Sequence, residues 1–249
     1  EALHSIGCEV REYPLLEEKY FALGEDFLKA LEEKVDMVFL CNPNNPTGML
    51  IEREFLLRIL KRCRELGIFL VVDECFLDFV EEPEAYTLKD YLPRYENLFL
   101  LKAFTKRYAM AGIRLGYGLC GNKKLLERME SCVQPWNLSV AAQAAGMAAL
   151  KETEYVKQGR TLVFKEAARL KQGLAALNFK VYPSCSNYIF FKGPEDLFTR
   201  CVKEGILIRD CSNYSGLCKG YYRIAVKNEK ENDALLTALT HIQKERERG

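Results

Sequence analysis

The stretch MVFLCNPNNPTG, Met37 to Gly48, decides how this 249-residue chain is read. Five apolar residues run directly into two prolines, three asparagines, a threonine and a glycine, a composition that fixes a turn at a strand end. Backbone and amide groups in such a turn can hold a small ligand. The same chemistry also makes a plain connection, so the neighbouring segments have to decide.

Downstream, Glu52 to Leu66 places Phe55, Leu56, Ile59, Leu60 and Cys63 on one helical face, with arginines and glutamates opposite. Further apolar runs at Ile68–Asp73, Leu98–Leu101 and Leu115–Cys120 read as strands. Short apolar runs alternating with amphipathic stretches are the signature of β-α-β units, so the fold class is α/β with a mostly parallel sheet. In that architecture the loops after Cys41, Asp73 and Leu101 converge on one crevice at the strand ends, where ligands sit.

After an alanine-rich helix around Ser139–Leu150 the pattern changes. A long charged helix, about Glu152 to Leu177, is followed by strands expected at Phe179–Tyr182, Asn187–Lys192, Ile206–Ile208 and Tyr221–Val226. Helices near Glu195–Glu204 and Glu229–Lys244 complete a smaller α+β unit. The organisation expected is a large domain over 1–150 and a small one over 151–249.

With 36 basic against 35 acidic residues the formal charge is +1, which gives no field for nucleic acid or an anionic membrane. No apolar run approaches the roughly 20 residues of a membrane span. The ten cysteines are scattered without CxxC spacing, and only His4 and His241 could join them as imidazole ligands. They read as reduced, mostly buried thiols of a cytoplasmic protein with no metal site, whose partner is a small molecule.

Three further features carry chemistry. Asp73 ends the apolar strand Ile68–Val72, and a carboxylate there requires a partner: a helix N-terminus, a salt bridge, or a cationic ring nitrogen with Phe76 beside the same ring. Lys106 follows a buried strand and precedes small and apolar residues, a poor place for a solvated amine; desolvation would make it a nucleophile for a carbonyl. Arg114, eight residues later, offers a planar fork for a phosphate.

Together, NPNNPTG (42–48), VVDECF (71–76) and FTKRYAMAGIRLGY (104–117) resemble, in this order, the fold-type I pyridoxal-phosphate enzymes. Within these the chain is similar to the subgroup that contains histidinol-phosphate aminotransferase and threonine-phosphate decarboxylase, and the resemblance covers nearly its whole length. It implies the full architecture, a large domain with a sheet of seven-stranded type, incomplete here, and a small C-terminal α+β domain. It implies pyridoxal 5'-phosphate as cofactor and a homodimer as assembly. Lys106 would bond to the cofactor aldehyde and then act as general acid or base, and Asp73 would pair with the pyridine nitrogen. Asn45 would donate to the phenolic oxygen, with a cis Asn45-Pro46 bond, and Thr105 and Arg114 would bind the phosphate. Arg223 resembles the arginine that grips the substrate carboxylate. Two departures stand out: Phe76 replaces a tyrosine common in aminotransferases, and Ala103 replaces a hydroxyl residue near the phosphate.

The stretch GILIRDCSNYSGLCKGYYRIAVK (205–227) is similar in outline to histidinol-phosphate aminotransferases, but its RDCSNYSGL wording and Phe76 are closer to threonine-phosphate decarboxylases of cobalamin assembly. Arg209 would then be a second anion-binding arginine beside Arg223, suited to a substrate with a carboxylate and a phosphate. The resemblance thus implies decarboxylation of O-phospho-L-threonine to aminopropanol phosphate, with amino transfer as the alternative. Which bond at Cα breaks depends on which is held perpendicular to the cofactor ring, a torsion no sequence reports. A catalytically silent regulatory or scaffolding member of the fold is the remaining alternative, and the joint presence of Lys106, Asp73, Asn45 and Arg114 argues against it. The opening EALHSIGCEVREYPL reads as a helix end running into a strand. The family's glycine-rich phosphate loop, ring-stacking aromatic and substrate arm are not found in these residues, so a preceding segment is expected and the 249 residues alone would hold the cofactor weakly.

Overall fold

A computed structural model of the protein describes residues 2–248. Its first sheet starts with β1 (Met37–Cys41), followed by helix α1 (Arg53–Glu65), β2 (Phe69–Asp73), β3 (Leu98–Ala103) and β4 (Gly116–Cys120). Strand order is β1-β2-β3-β4, with the first three parallel and β4 antiparallel to β3. Helix α1 buries Leu56, Ile59, Leu60 and Cys63, at the three- and four-residue spacing that aligns side chains on one face. They pack on Leu70, Val72, Leu98 and Leu100. The helix stops at Gly67, whose φ of +71° suits a residue without Cβ, and the Ile68 amide returns to Cys63 O at 2.8 Å.

Helices α2 (Lys123–Cys132), α3 (Val140–Ala149) and α4 (Thr153–Ala176) lead to the second sheet. Its strands are β5 (Lys180–Val181), β6 (Tyr188–Lys192), β7 (Arg209–Asp210) and β8 (Tyr221–Ala225), with α5 (Leu197–Lys203) between β6 and β7 and α6 (Glu229–Arg248) at the end. The order is β5-β6-β8-β7, antiparallel throughout. Residues alternate across β6: Ile189 and Phe191 join α4 and α6 through Leu170, Leu174, Leu235 and Leu239, while Phe190 faces Phe21, Tyr182 and Tyr221 on the other side.

Three expectations change. Ile206–Ile208 is not a strand: Gly205 has φ +74° and the Ile206 amide closes α5 on Cys201 O, so pairing starts only at Arg209. The opening segment has a helical turn at Ala2–Ser5 but no strand after it. All ten cysteines are free thiols, yet Cys8, Cys132, Cys185 and Cys218 are exposed and only Cys63, Cys201 and Cys211 are buried.

Two connections tie the halves of the chain together. Gly48 closes the 42–48 loop at φ +74°, and a Cβ there would lie 2.6 Å from Ser184 Cβ. The Ser184 hydroxyl donates to Thr47 O at 2.8 Å and the Cys185 amide to Gly48 O at 2.9 Å. Glu17, from the beginning of the chain, lies against the second sheet and accepts hydrogen bonds from Lys180, Tyr182, Lys192 and Tyr221. These donors, Lys180 first and then the two tyrosines, hold its carboxyl far below the usual carboxylate range.

Gly48→Ala is expected to cost roughly 2–4 kcal/mol, from left-handed backbone strain plus overpacking on Ser184, and thermal unfolding measures it. Because the folded-state pKa of Glu17 is depressed, its contribution is complete above the ordinary carboxylate value of 4.5 and is lost as pH falls below that value. Glu17→Gln should lower the melting temperature at pH 7 by roughly 2–8 °C, taking ~1–2 kcal/mol for bonds to a charged group. Melting curves of the two proteins should converge on acidification, and a constant gap down to the acid limb would contradict this.

Candidate active site

In-register pairing sets Cys41 beside Asp73 and Asp73 beside Leu101, so β1 and β2 end in one row while β3 runs on to Ala103. From this row the chain departs into the 42–48 loop, the turn 74–79 and the segment carrying Lys106. The 42–48 loop is held internally: Asn42 donates to Ile51 O and accepts from the Ile51 amide at 2.8 Å, and Asn44 Nδ2 donates to Thr47 Oγ1 at 2.8 Å. The Asn45-Pro46 peptide is cis, as is Asn42-Pro43.

A cavity of about 540 Å3 lies between Phe76 and Lys106 on one side and the second sheet on the other, lined among others by Tyr188, Arg209 and Arg223. Lys106 Nζ stands 5.2 Å from the centre of the Phe76 ring, and that ring meets Tyr188 edge-on at 5.0 Å. Arg209 and Arg223 are direct partners across β7 and β8. Like charges placed opposite one another on neighbouring strands repel, so this pairing suits an anion between them. Arg223 packs 5.0 Å over the Tyr188 ring and donates to Asn45 Oδ1; Arg209 donates to Asn213 Oδ1 at 3.0 Å. Among the described residues none of Lys106, Arg209 and Arg223 forms an ion pair.

The two acids at the end of β2 have different surroundings. Glu74 is fully buried, paired with Lys102 at 2.7 Å and bonded to Thr87 Oγ1 and the Leu88 amide, so its charge is met within the fold. Asp73 accepts from the Cys75 amide at 2.9 Å and forms no ion pair among the described residues. The thiols beside it stay neutral: burial first, then the Asp73 charge, pushes Cys41 up to about 11, and burial with a hydrogen bond to Asp73 raises Cys75 further.

These residues fit pyridoxal phosphate. An unpaired, half-buried carboxylate suits a protonated ring nitrogen. The Asn45 oxygen is occupied by Arg223, which leaves its NH2 free to donate to a phenolic oxygen, and Lys106 would supply an amine for the aldehyde. The phosphate end is less complete. Arg114 is exposed and donates to Ala111 O at 3.2 Å. Of the expected cofactor residues, Phe76 and Lys106 line the cavity, while Asn45, Asp73, Thr105 and Arg114 do not.

Tyr188 is the residue sequence reasoning missed. It is buried and donates to Asn44 O at 2.7 Å, touching the loop, Phe76 and Arg223 at once. In sequence it is one more aromatic in the apolar run Tyr188–Phe191, and only its packing under Arg223, two residues along from its strand partner Ala225, would have singled it out.

The aminotransferase class I and II family model matches residues 1–239. The chain is 37% identical over 247 residues to a threonine-phosphate decarboxylase of Salmonella typhimurium, covering 97% of this chain and 67% of that protein. It is equally, 37%, identical over 231 residues to a histidinol-phosphate aminotransferase of Caldanaerobacter subterraneus, covering 91% of this chain and 63% of that protein. The crystal structure of the histidinol-phosphate aminotransferase from Clostridium acetobutylicum superposes with a TM-score of 0.81 at 33% identity, over 86% of this chain and 65% of that one. The chain thus spans about two thirds of the length of these relatives. It has the fold-type I α/β architecture, and it belongs to the pyridoxal-phosphate-dependent aminotransferase class I and II family.

Proposed function

We propose that this chain carries the catalytic residues of a decarboxylase that releases carbon dioxide from O-phospho-L-threonine, giving aminopropanol phosphate for cobalamin assembly. The observation that carries the reading is the cavity itself, in which Lys106 faces two arginines that have no carboxylate partner among the described residues. Two arginines without a carboxylate partner suit a substrate with more than one negative group. The RDCSNYSGL turn supports the choice of reaction class, since Asn213 and Tyr214 in it brace the Arg209 guanidinium. The aminotransferase reading rests on relatives of equal identity with the other activity.

Bound at this site, pyridoxal phosphate would supply an electron sink for the carbanion left at Cα. Lys106 would hold the cofactor aldehyde and then carry the proton that replaces carbon dioxide on Cα. Arg223 would grip the carboxylate or the phosphate, with Arg209 taking the other group. Asp73 would keep the ring nitrogen protonated, and Asn45 would donate to the phenolic oxygen. Thr105 and Arg114 would hold the cofactor phosphate, the arginine by turning from Ala111. Phe76 offers no hydroxyl to the phenolic oxygen, so that contact falls to Asn45. The domain division that goes with this reading is a cofactor domain over 1–150 and a small domain over 151–249, in a cytoplasmic homodimer. Among the described residues no helix is long and apolar enough to cross a membrane.

O-phospho-L-threonine should yield carbon dioxide, and histidinol phosphate with 2-oxoglutarate should show no amino transfer; the reverse outcome rejects the decarboxylase. Arg209→Gln and Arg223→Gln should each lower kcat/KM by about 10- to 1,000-fold, as loss of a charged hydrogen-bonding partner does. Asn45→Ala should shift the visible absorption of the bound cofactor and its pH titration, and an unchanged titration would remove Asn45 from the site.

A further inference from the structure

Lys106 sits on a single helical turn, Phe104–Arg107, which has no side-chain cap at its start. Its entry is fixed by the buried Phe104, whose amide bonds Leu115 O at 3.1 Å. Its exit is looser: the Tyr108 amide closes the turn on Phe104 O, and the chain then passes through Ala109 at φ +53°. The last residue of the turn, Arg107, reaches across to Asp78 and forms an ion pair. Apart from that pair, the guanidinium lies 5.5 Å over the Tyr108 ring and its buried Nε has no hydrogen-bond partner.

Asp78 stands on firm ground. It belongs to the 3-10 turn Leu77–Phe79, anchored by the fully buried Leu77. Backbone bonds from Leu77 to Glu74 O and from Phe79 to Phe76 O brace that turn, and Arg160 of α4 donates to Val80 O at 2.8 Å just after it. Phe76, whose ring lies under the Lys106 amine, is two residues before Asp78. The pair therefore joins the turn that carries the amine to the turn that carries the ring below it.

We propose that the Asp78–Arg107 ion pair is a clasp that positions Lys106: it fixes the rotation of the Phe104–Arg107 turn so that the amine points into the cavity over Phe76. The inference rests on the pyridoxal-phosphate reading of Lys106 and adds to it two positioning residues, neither of which lines the cavity. Arg107 is partly exposed, with 38% of its side-chain surface accessible. A pair at such a site contributes little to global stability, so its removal should be felt in the placement of the amine more than in melting.

The test follows covalent labelling. The protein, Asp78→Asn, Arg107→Gln, Arg107→Lys and the exchange Asp78→Arg with Arg107→Asp are incubated with pyridoxal 5'-phosphate and reduced with borohydride at intervals. The modified Lys106 peptide is quantified by mass, and melting temperatures are taken alongside. Asp78→Asn and Arg107→Gln should slow labelling by about tenfold, as a misplaced reacting group does, with melting temperatures within a few degrees of the parent. Arg107→Lys and the exchanged pair should regain most of the rate, because the charge pairing is kept. Labelling of the parent that is unaffected by any variant overturns the clasp and leaves the cofactor reading standing; so does a loss that only follows melting. No labelling of Lys106 in the parent overturns both.

Discussion

Parallel pairing of β1, β2 and β3 in one register is the constraint on which the site depends. Because Cys41, Asp73 and Leu101 are neighbours in a row, the first two segments leave the sheet from the same level, and β3 runs two residues further before the Lys106 turn. A shift of two residues along one strand would keep every apolar side chain on its face yet move Asp73 or the Lys106 turn by about 7 Å. What holds the register is the packing of α1 on Leu70, Val72, Leu98 and Leu100, so the chemistry at the strand ends is set by an apolar contact on the sheet's flank.

Charge is sorted by the same row. Glu74 turns to the interior and is neutralised by Lys102, with Thr87 and Leu88 completing its shell. Asp73, one residue earlier, points the other way and meets the Cys75 amide, with no cation paired to it among the described residues. On the second sheet, Arg209 and Arg223 face each other with no carboxylate paired to them among the described residues. Two like charges paired across neighbouring strands repel, and the anionic substrate proposed above would relieve that repulsion.

Periodicity carried the fold a long way. The α1 face, four strands of the first sheet and the long α4 all follow from apolar spacing, since burial on one side writes itself into the sequence. Helix α2 went unread because none of its residues is buried. Pairing at β7 begins later than the apolar run Ile206–Ile208 implied, for the backbone bond that ends α5 takes precedence there. In the site, Asp73 and Asn45 stood out by local context; Lys106 did too, but it is exposed, so the desolvation expected of it from the flanking apolar residues is not seen. Tyr188 and the hold of Glu17 on Lys180, Tyr182, Lys192 and Tyr221 did not stand out, since both depend on contacts between residues more than a hundred positions apart.

The amide of Asn45 has a consequence of its own. Its oxygen must be the end that meets Arg223, because a guanidinium only donates. An amide whose oxygen is bonded to a cation is polarised, and its nitrogen becomes a stronger donor. An anion that draws Arg223 toward itself weakens that polarisation, so the two faces of one side chain would sense different molecules. Arrival of a substrate group on the second sheet would then change the acidity felt at the cofactor's oxygen, a message passed through a single carboxamide with no movement of the backbone.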